Sequence, residues 1–74
     1  MGKGKPHIAN TIRVLRFNAG EMTQAELAEK VGVTRQTIVA IEQGRYSPSL
    51  EVAFRIADAF KKPLAEVFTW ESEK

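Results

Sequence analysis

The sequence has no cysteine and a single histidine, His7, among its 74 residues. Disulfides are therefore excluded, and so is a zinc site built on thiolates or several imidazoles, which removes the usual staples of so short a chain. The lack of thiols also fits a reducing compartment. No apolar run approaches the ~20 residues that span a bilayer. The start Met1-Gly2-Lys3-Gly4-Lys5-Pro6 leads into no apolar core of a secretory signal, so a cytoplasmic chain without membrane contact is expected. Acidic residues are absent before Glu21, where Lys3, Lys5, Arg13 and Arg16 are all basic. Past Ser49, Glu51, Asp58, Glu66, Glu71 and Glu73 roughly balance Arg55, Lys61, Lys62 and Lys74. A positive N-terminal end suits one face to phosphate, although charge alone fits an ordinary solvated surface as well. Catalysis finds no nucleophile-and-base set and no carboxylate pair in a pocket-forming segment, so neither enzyme activity nor a cofactor is expected.

What is present is helical. After a flexible tail over residues 1–6, one domain is expected over residues 7–74. A first helix over about Asn10–Asn18 carries Ile12, Leu15 and Ala19 on one stripe, with Gly20 as its stop. Thr23-Gln24-Ala25-Glu26 has the spacing of a capping box, and Leu27, Ala28 and Val31 form the inner face of the helix that follows. Thr34 caps a third helix with Ile38 and Ile41 inward. Ser49 caps a fourth, whose buried face is read as Leu50, Ala53, Phe54, Ala57 and Phe60. Pro63 suits the first turn of a short fifth helix carrying Leu64, Val67 and Phe68. The fold class is therefore all-α with five helices. Phe68-Thr69-Trp70-Glu71 alternates like a strand, and Ile8 offers an extended partner, so the chain ends can add a small two-stranded antiparallel sheet.

The most informative run is Gln24–Gln43, QAELAEKVGVTRQTIVAIEQ. Two helices joined by a turn holding Gly32 and little else must cross steeply, as in a helix-turn-helix. Ala28 is small where they approach, Gly32 supplies a positive φ, and Leu27, Val31, Val33, Ile38 and Ile41 are apolar where the pair packs. With Thr34-Arg35-Gln36-Thr37-Ile38, Ile41 through Leu50, Ala53 through Ala57 and Pro63 through Phe68, the chain resembles the phage-repressor and Cro class, the XRE family, over about residues 8–70. It is especially similar to the short stand-alone regulators of that class. The resemblance implies a lambda-repressor-like domain acting in prokaryotic or viral transcriptional control, usually as a repressing dimer on inverted repeats of double-stranded DNA. Two departures stand out. The loop Gly20-Glu21-Met22 is one residue longer than usual, and Lys61 stands where relatives often have glycine.

Within that frame Arg35 and Gln36 open the helix that reads base edges, Arg suiting guanine and Gln suiting adenine. Val39 and Ala40 lie further along that face, where short apolar groups meet thymine methyls. Gln24, at the start of the first helix of the motif, is expected on a phosphate and against the reading helix. Thr34, Thr37 and Arg45 are further phosphate candidates. Arg16, with Arg13, either adds to that set or is simply solvated. Tyr46 either stacks on its loop or reaches a phosphate, and the resemblance implies that Glu42 braces the loop from inside. A dimer interface is expected from Leu64, Val67, Phe68 and Trp70, leaving the reading helix free. The alternative is an antitoxin-type protein-interaction module on the same fold.

Overall fold

Three hydroxyl side chains set where the central helices begin. In the computed structural model, which describes residues 7–72, the Thr23 hydroxyl accepts from the Glu26 N–H at 3.0 Å, while the Thr23 N–H donates to the Glu26 carboxylate at 2.9 Å. The Thr34 hydroxyl accepts from the Thr37 N–H, and that of Ser49 from the Val52 N–H. Each satisfies a first-turn donor that has no partner within its helix. The resulting order is β1 (His7–Asn10), α1 (Ile12–Asn18), α2 (Gln24–Val31), α3 (Arg35–Glu42), α4 (Leu50–Ala59), α5 (Leu64–Val67) and β2 (Phe68–Glu71). The expected tail over residues 1–6 lies outside the described residues. Among the described residues no helix is long and apolar enough to cross a membrane.

The chain ends pair as an antiparallel sheet, with Ile8 opposite Trp70 and Asn10 opposite Phe68. Asn10 thus belongs to a strand and not to the first helix. Its side chain still serves that helix, accepting from the Ile12 N–H at 3.1 Å, and its amide also donates to the Ile41 carbonyl at 3.1 Å. The Thr11 N–H and hydroxyl donate to the carbonyls of Val67 and Glu66. The sheet is thereby tied both to α5 and to the end of α3.

The fully buried core is aliphatic: Ile12, Leu27, Ile38, Ile56 and Val67. Ala28, Val31, Ile41 and Ala57 complete it, with Leu15 and Phe60 partly buried against it. Two expectations change here. Ala19 is exposed, beyond the last turn of α1. On α4, Leu50 and Phe54 are 67% and 53% exposed, and Ile56 takes their place inside. At ~100° per residue, Ala53, Ile56 and Ala57 define the buried arc, and Leu50 and Phe54 fall roughly 70° and 110° round the helix from its centre.

Gly32 ends α2 in the left-handed region, at φ +85°. Lys61 adopts the same region at φ +57°, and Glu21, in the lengthened loop, at φ +59°. Neither lysine nor glutamate favours it, because Cβ crowds the backbone there.

Candidate nucleic-acid interface

On α3, Ile38 and Ile41 point into the core. The helical repeat then directs Gln36, Val39 and Ala40 the opposite way and puts Arg35 and Glu42 on one edge. Arg35 and Gln36 are exposed in the first turn, and neither has a hydrogen-bond or ion-pair partner among the described residues. Val39 and Ala40 are half-buried on the same side. Two turns beyond Gln36, Gln43 continues this face, and its side-chain oxygen accepts from Arg45 Nε at 2.8 Å. Gln43 was not singled out from the sequence, although its seven-residue spacing from Gln36 is a legible signal.

Beside this face lies an open cleft of about 610 Å³ lined by Arg13, Thr23, Gln24, Arg35, Glu42 and Gln43, among others. The N-terminus of α2 borders it. The Gln24 and Ala25 N–H groups sit in the first turn, where no carbonyl four residues back receives them, and so suit an anion. Arg13 and Arg35 bring cationic side chains with no carboxylate partner among the described residues.

Arg16 also lines the cleft, but it is paired within the domain. Its Nε donates to Glu42 Oε2 at 2.7 Å, Nη2 to Glu42 Oε1 at 3.1 Å and Nη1 to the Met22 carbonyl at 2.9 Å. With side-chain exposures of 16% and 9%, Arg16 and Glu42 form a forked, nearly buried pair. Three of its five N–H donors are thus spent inside the domain, which makes Arg16 a brace first and leaves two Nη hydrogens beside the cleft it lines. Glu42 also accepts from Gln24 Nε2 at 3.2 Å, so one carboxylate ties α1, α2 and α3 together at the base of the cleft. This orients the Gln24 amide and leaves its second N–H for an outside acceptor. Arg13, three residues before the brace, is the α1 cation that stays open.

The Thr34 hydroxyl lies 2.9 Å from that of Thr37 while accepting from the Thr37 N–H. Arg45 and Tyr46 are exposed in the loop after α3. Tyr46 borders a different groove, shared with Ile8, Pro48 and Trp70. The residues expected at a dimer interface do not form one open surface. Val67 is fully buried in the core of this chain, so its side chain has nothing left to offer a partner. Leu64 and Phe68 pack half-buried against that core, while Trp70 is 63% exposed.

A helix-turn-helix family model, HTH_3, matches residues 15–67. The uncharacterised HTH-type transcriptional regulator MJ0272 of Methanocaldococcus jannaschii is 49% identical over 53 residues, spanning 72% of this chain and 80% of that protein. The cryptic phage CTXphi transcriptional repressor RstR of Vibrio cholerae is 36% identical over 59 residues, 80% of this chain and 52% of that one. A crystal structure of a candidate DNA-binding protein from Bacteroides fragilis superimposes with a TM-score of 0.72 at 22% identity, covering 84% of this chain and 98% of that one. That last likeness, together with the family model, gives the lambda-repressor-like helix-turn-helix fold.

Proposed function

The chain belongs to the HTH_3 helix-turn-helix family of DNA-binding transcriptional regulators, which are not enzymes, and we propose that it is a sequence-specific repressor acting as a homodimer on an inverted-repeat operator. The observation that carries this is the pair Arg35 and Gln36, exposed and unpartnered at the start of α3 beside a cleft with the donors an anion needs. Arg35 donates two hydrogen bonds to guanine O6 and N7, and Gln36 pairs with adenine N6 and N7. Val39 and Ala40 contact thymine methyls. Gln24, Arg13 and the N-terminus of α2 hold one phosphate strand, with Thr34, Thr37 and Arg45 along the flanks. Those contacts set register without reading sequence.

With so few polar readers per subunit, one domain discriminates weakly, and a second copy on the next major-groove face supplies the rest. Two-fold reading sets half-sites 10–10.5 bp, ~34 Å, apart. Repression requires only that the bound dimer occupy its DNA, and RstR, a relative named as a repressor, favours that outcome. Selecting bound duplexes from a random library tests the proposal. Enrichment of an inverted repeat at that spacing is expected. No enrichment would refute sequence-specific binding, and a single unrepeated half-site would refute the dimeric mode.

A further inference from the structure

The side chain of Asn10 serves two helices at once. Its Oδ1 accepts from the Ile12 N–H and its Nδ2 donates to the Ile41 carbonyl, each at 3.1 Å. Its backbone meanwhile belongs to β1, opposite Phe68 of β2. The residue therefore stands where the terminal sheet, the start of α1 and the last turn of α3 meet. It lines both a groove of about 310 Å³ beside the sheet and the cleft of about 610 Å³ beside the reading face.

We propose that Asn10 is a positioning residue for DNA reading: by holding the Ile41 carbonyl it fixes the C-terminal end of α3 against α1 and the sheet. The proposal rests on the reading role given to α3 above and concerns how that helix is held. At its start α3 is anchored by the Thr34 cap and the short connection through Gly32. Its far end runs into residues 44–47, all of them exposed. The last carbonyls of a helix have no donor within it. Those of Val39, Ala40 and Ile41 take the N–H groups of Gln43, Arg45 and Gly44, which belong to that same exposed turn. Polar ties from this end to the rest of the domain come from side chains, Asn10 on Ile41 and Arg16 with Gln24 on Glu42. Of these, Asn10 grips the backbone of α3 itself. Its oxygen also starts α1, one residue before Arg13, so it sets the spacing between the reading helix and an arginine assigned to a phosphate. The tolerance is small. Hydrogen bonds to base edges span ~2.7–3.2 Å. With eight residues at ~1.5 Å each, α3 is ~12 Å long. A ~1 Å slip at its far end tilts it by ~5° and moves Val39, Ala40 and Gln43 more than Arg35 and Gln36.

The test uses the full chain. Asn10→Asp and Asn10→Ser both keep an oxygen for the Ile12 N–H, and neither can donate to the Ile41 carbonyl. Aspartate is acceptor-only at neutral pH, and the serine hydroxyl stops an atom short. On the selected operator each should weaken binding roughly two- to tenfold per subunit, the worth of one hydrogen bond, and so roughly four- to hundredfold per dimer. Discrimination should flatten at the base pairs whose preference survives in Arg35→Ala and Gln36→Ala, because the far half of α3 reads those. It should hold at the pairs that Arg35 and Gln36 read. A role in stability alone would lower the melting midpoint and leave the base preference of the folded protein unchanged, so titrations are run where circular dichroism shows full helix content. The parent gives a second measurement, decisive alone if both variants lose that content. If the tie favours the DNA-bound pose, binding strengthens the tie by the same factor. Exchange of the Asn10 side-chain amide with water, followed by nuclear magnetic resonance, should therefore slow more on operator than on random duplex. A parent without sequence preference overturns the reading role and this proposal together. A sequence-specific parent whose Asn10 variants keep its affinity and base preferences, or whose Asn10 amide exchanges equally fast on both duplexes, overturns the positioning role alone.

Discussion

Arg16→Met separates bracing from DNA contact. It removes three donated hydrogen bonds, two of them to Glu42, and leaves that carboxylate, only 9% exposed, with Gln24 as its remaining partner. Removing one member of a fully buried pair costs ~3–5 kcal/mol; with Arg16 still 16% exposed and its pair reached by some water, we expect ~2–4 kcal/mol. For a domain of this size that lowers the melting midpoint by about 8–32 °C, taking 4–8 °C per kcal/mol. Adding Glu42→Gln should recover part of the loss, since the orphaned charge is then gone, giving a coupling of ~1–3 kcal/mol in a double-mutant cycle. Arg16→Lys should rescue poorly, because an ammonium cannot fork onto both carboxylate oxygens and also reach the Met22 carbonyl. Thermal and urea unfolding of the four cycle members measure this. Strictly additive effects, or a loss below ~0.5 kcal/mol, the usual scale of an exposed ion pair, would refute the brace.

Arg35→Ala and Gln36→Ala should each weaken operator binding by ~1–3 kcal/mol and relax specificity at one base pair per half-site, read by titrating single-base operator variants. Arg13→Ala and Arg45→Ala should instead weaken operator and random DNA alike, lowering the slope of log K against log salt by roughly 1–2 per dimer. An unchanged slope would place that arginine away from the phosphates. Lys61→Gly relieves a left-handed lysine at φ +57°. After the added freedom of the unfolded chain is counted, it should stabilise by up to about 1 kcal/mol in chemical denaturation. Gly32→Ala, at φ +85° and with Arg55 Nη1 3.4 Å from the new methyl, should destabilise by ~1–2 kcal/mol.

Legibility followed the range of each interaction. Thr23, Thr34, Ser49 and Gly32 act on neighbours within four residues, so their spacing alone announces the helix ends. The terminal sheet was readable because alternation at Phe68–Glu71 had an extended partner at Ile8. The bracing role of Arg16 was not legible because its partner lies 26 residues away, and a basic side chain suits a phosphate or a buried carboxylate equally well from sequence. Leu50 and Phe54 were misread because apolar spacing on a helix marks an arc and cannot say where the arc's edge meets solvent. Val67 shows the converse. In a single turn such as α5, which side chain faces inward depends on how the neighbouring elements pack.

The aliphatic core has a spectroscopic consequence. Trp70 is the one tryptophan, and at 63% exposure its indole is already largely solvated in the folded chain. Unfolding an isolated subunit therefore changes its surroundings little, and emission from it is a poor gauge of whether the helices are intact. The same indole, standing on the outer sheet opposite Ile8, responds strongly to anything that covers that sheet. A blue shift in its fluorescence is thus a signal of contact, while folding has to be followed through the backbone.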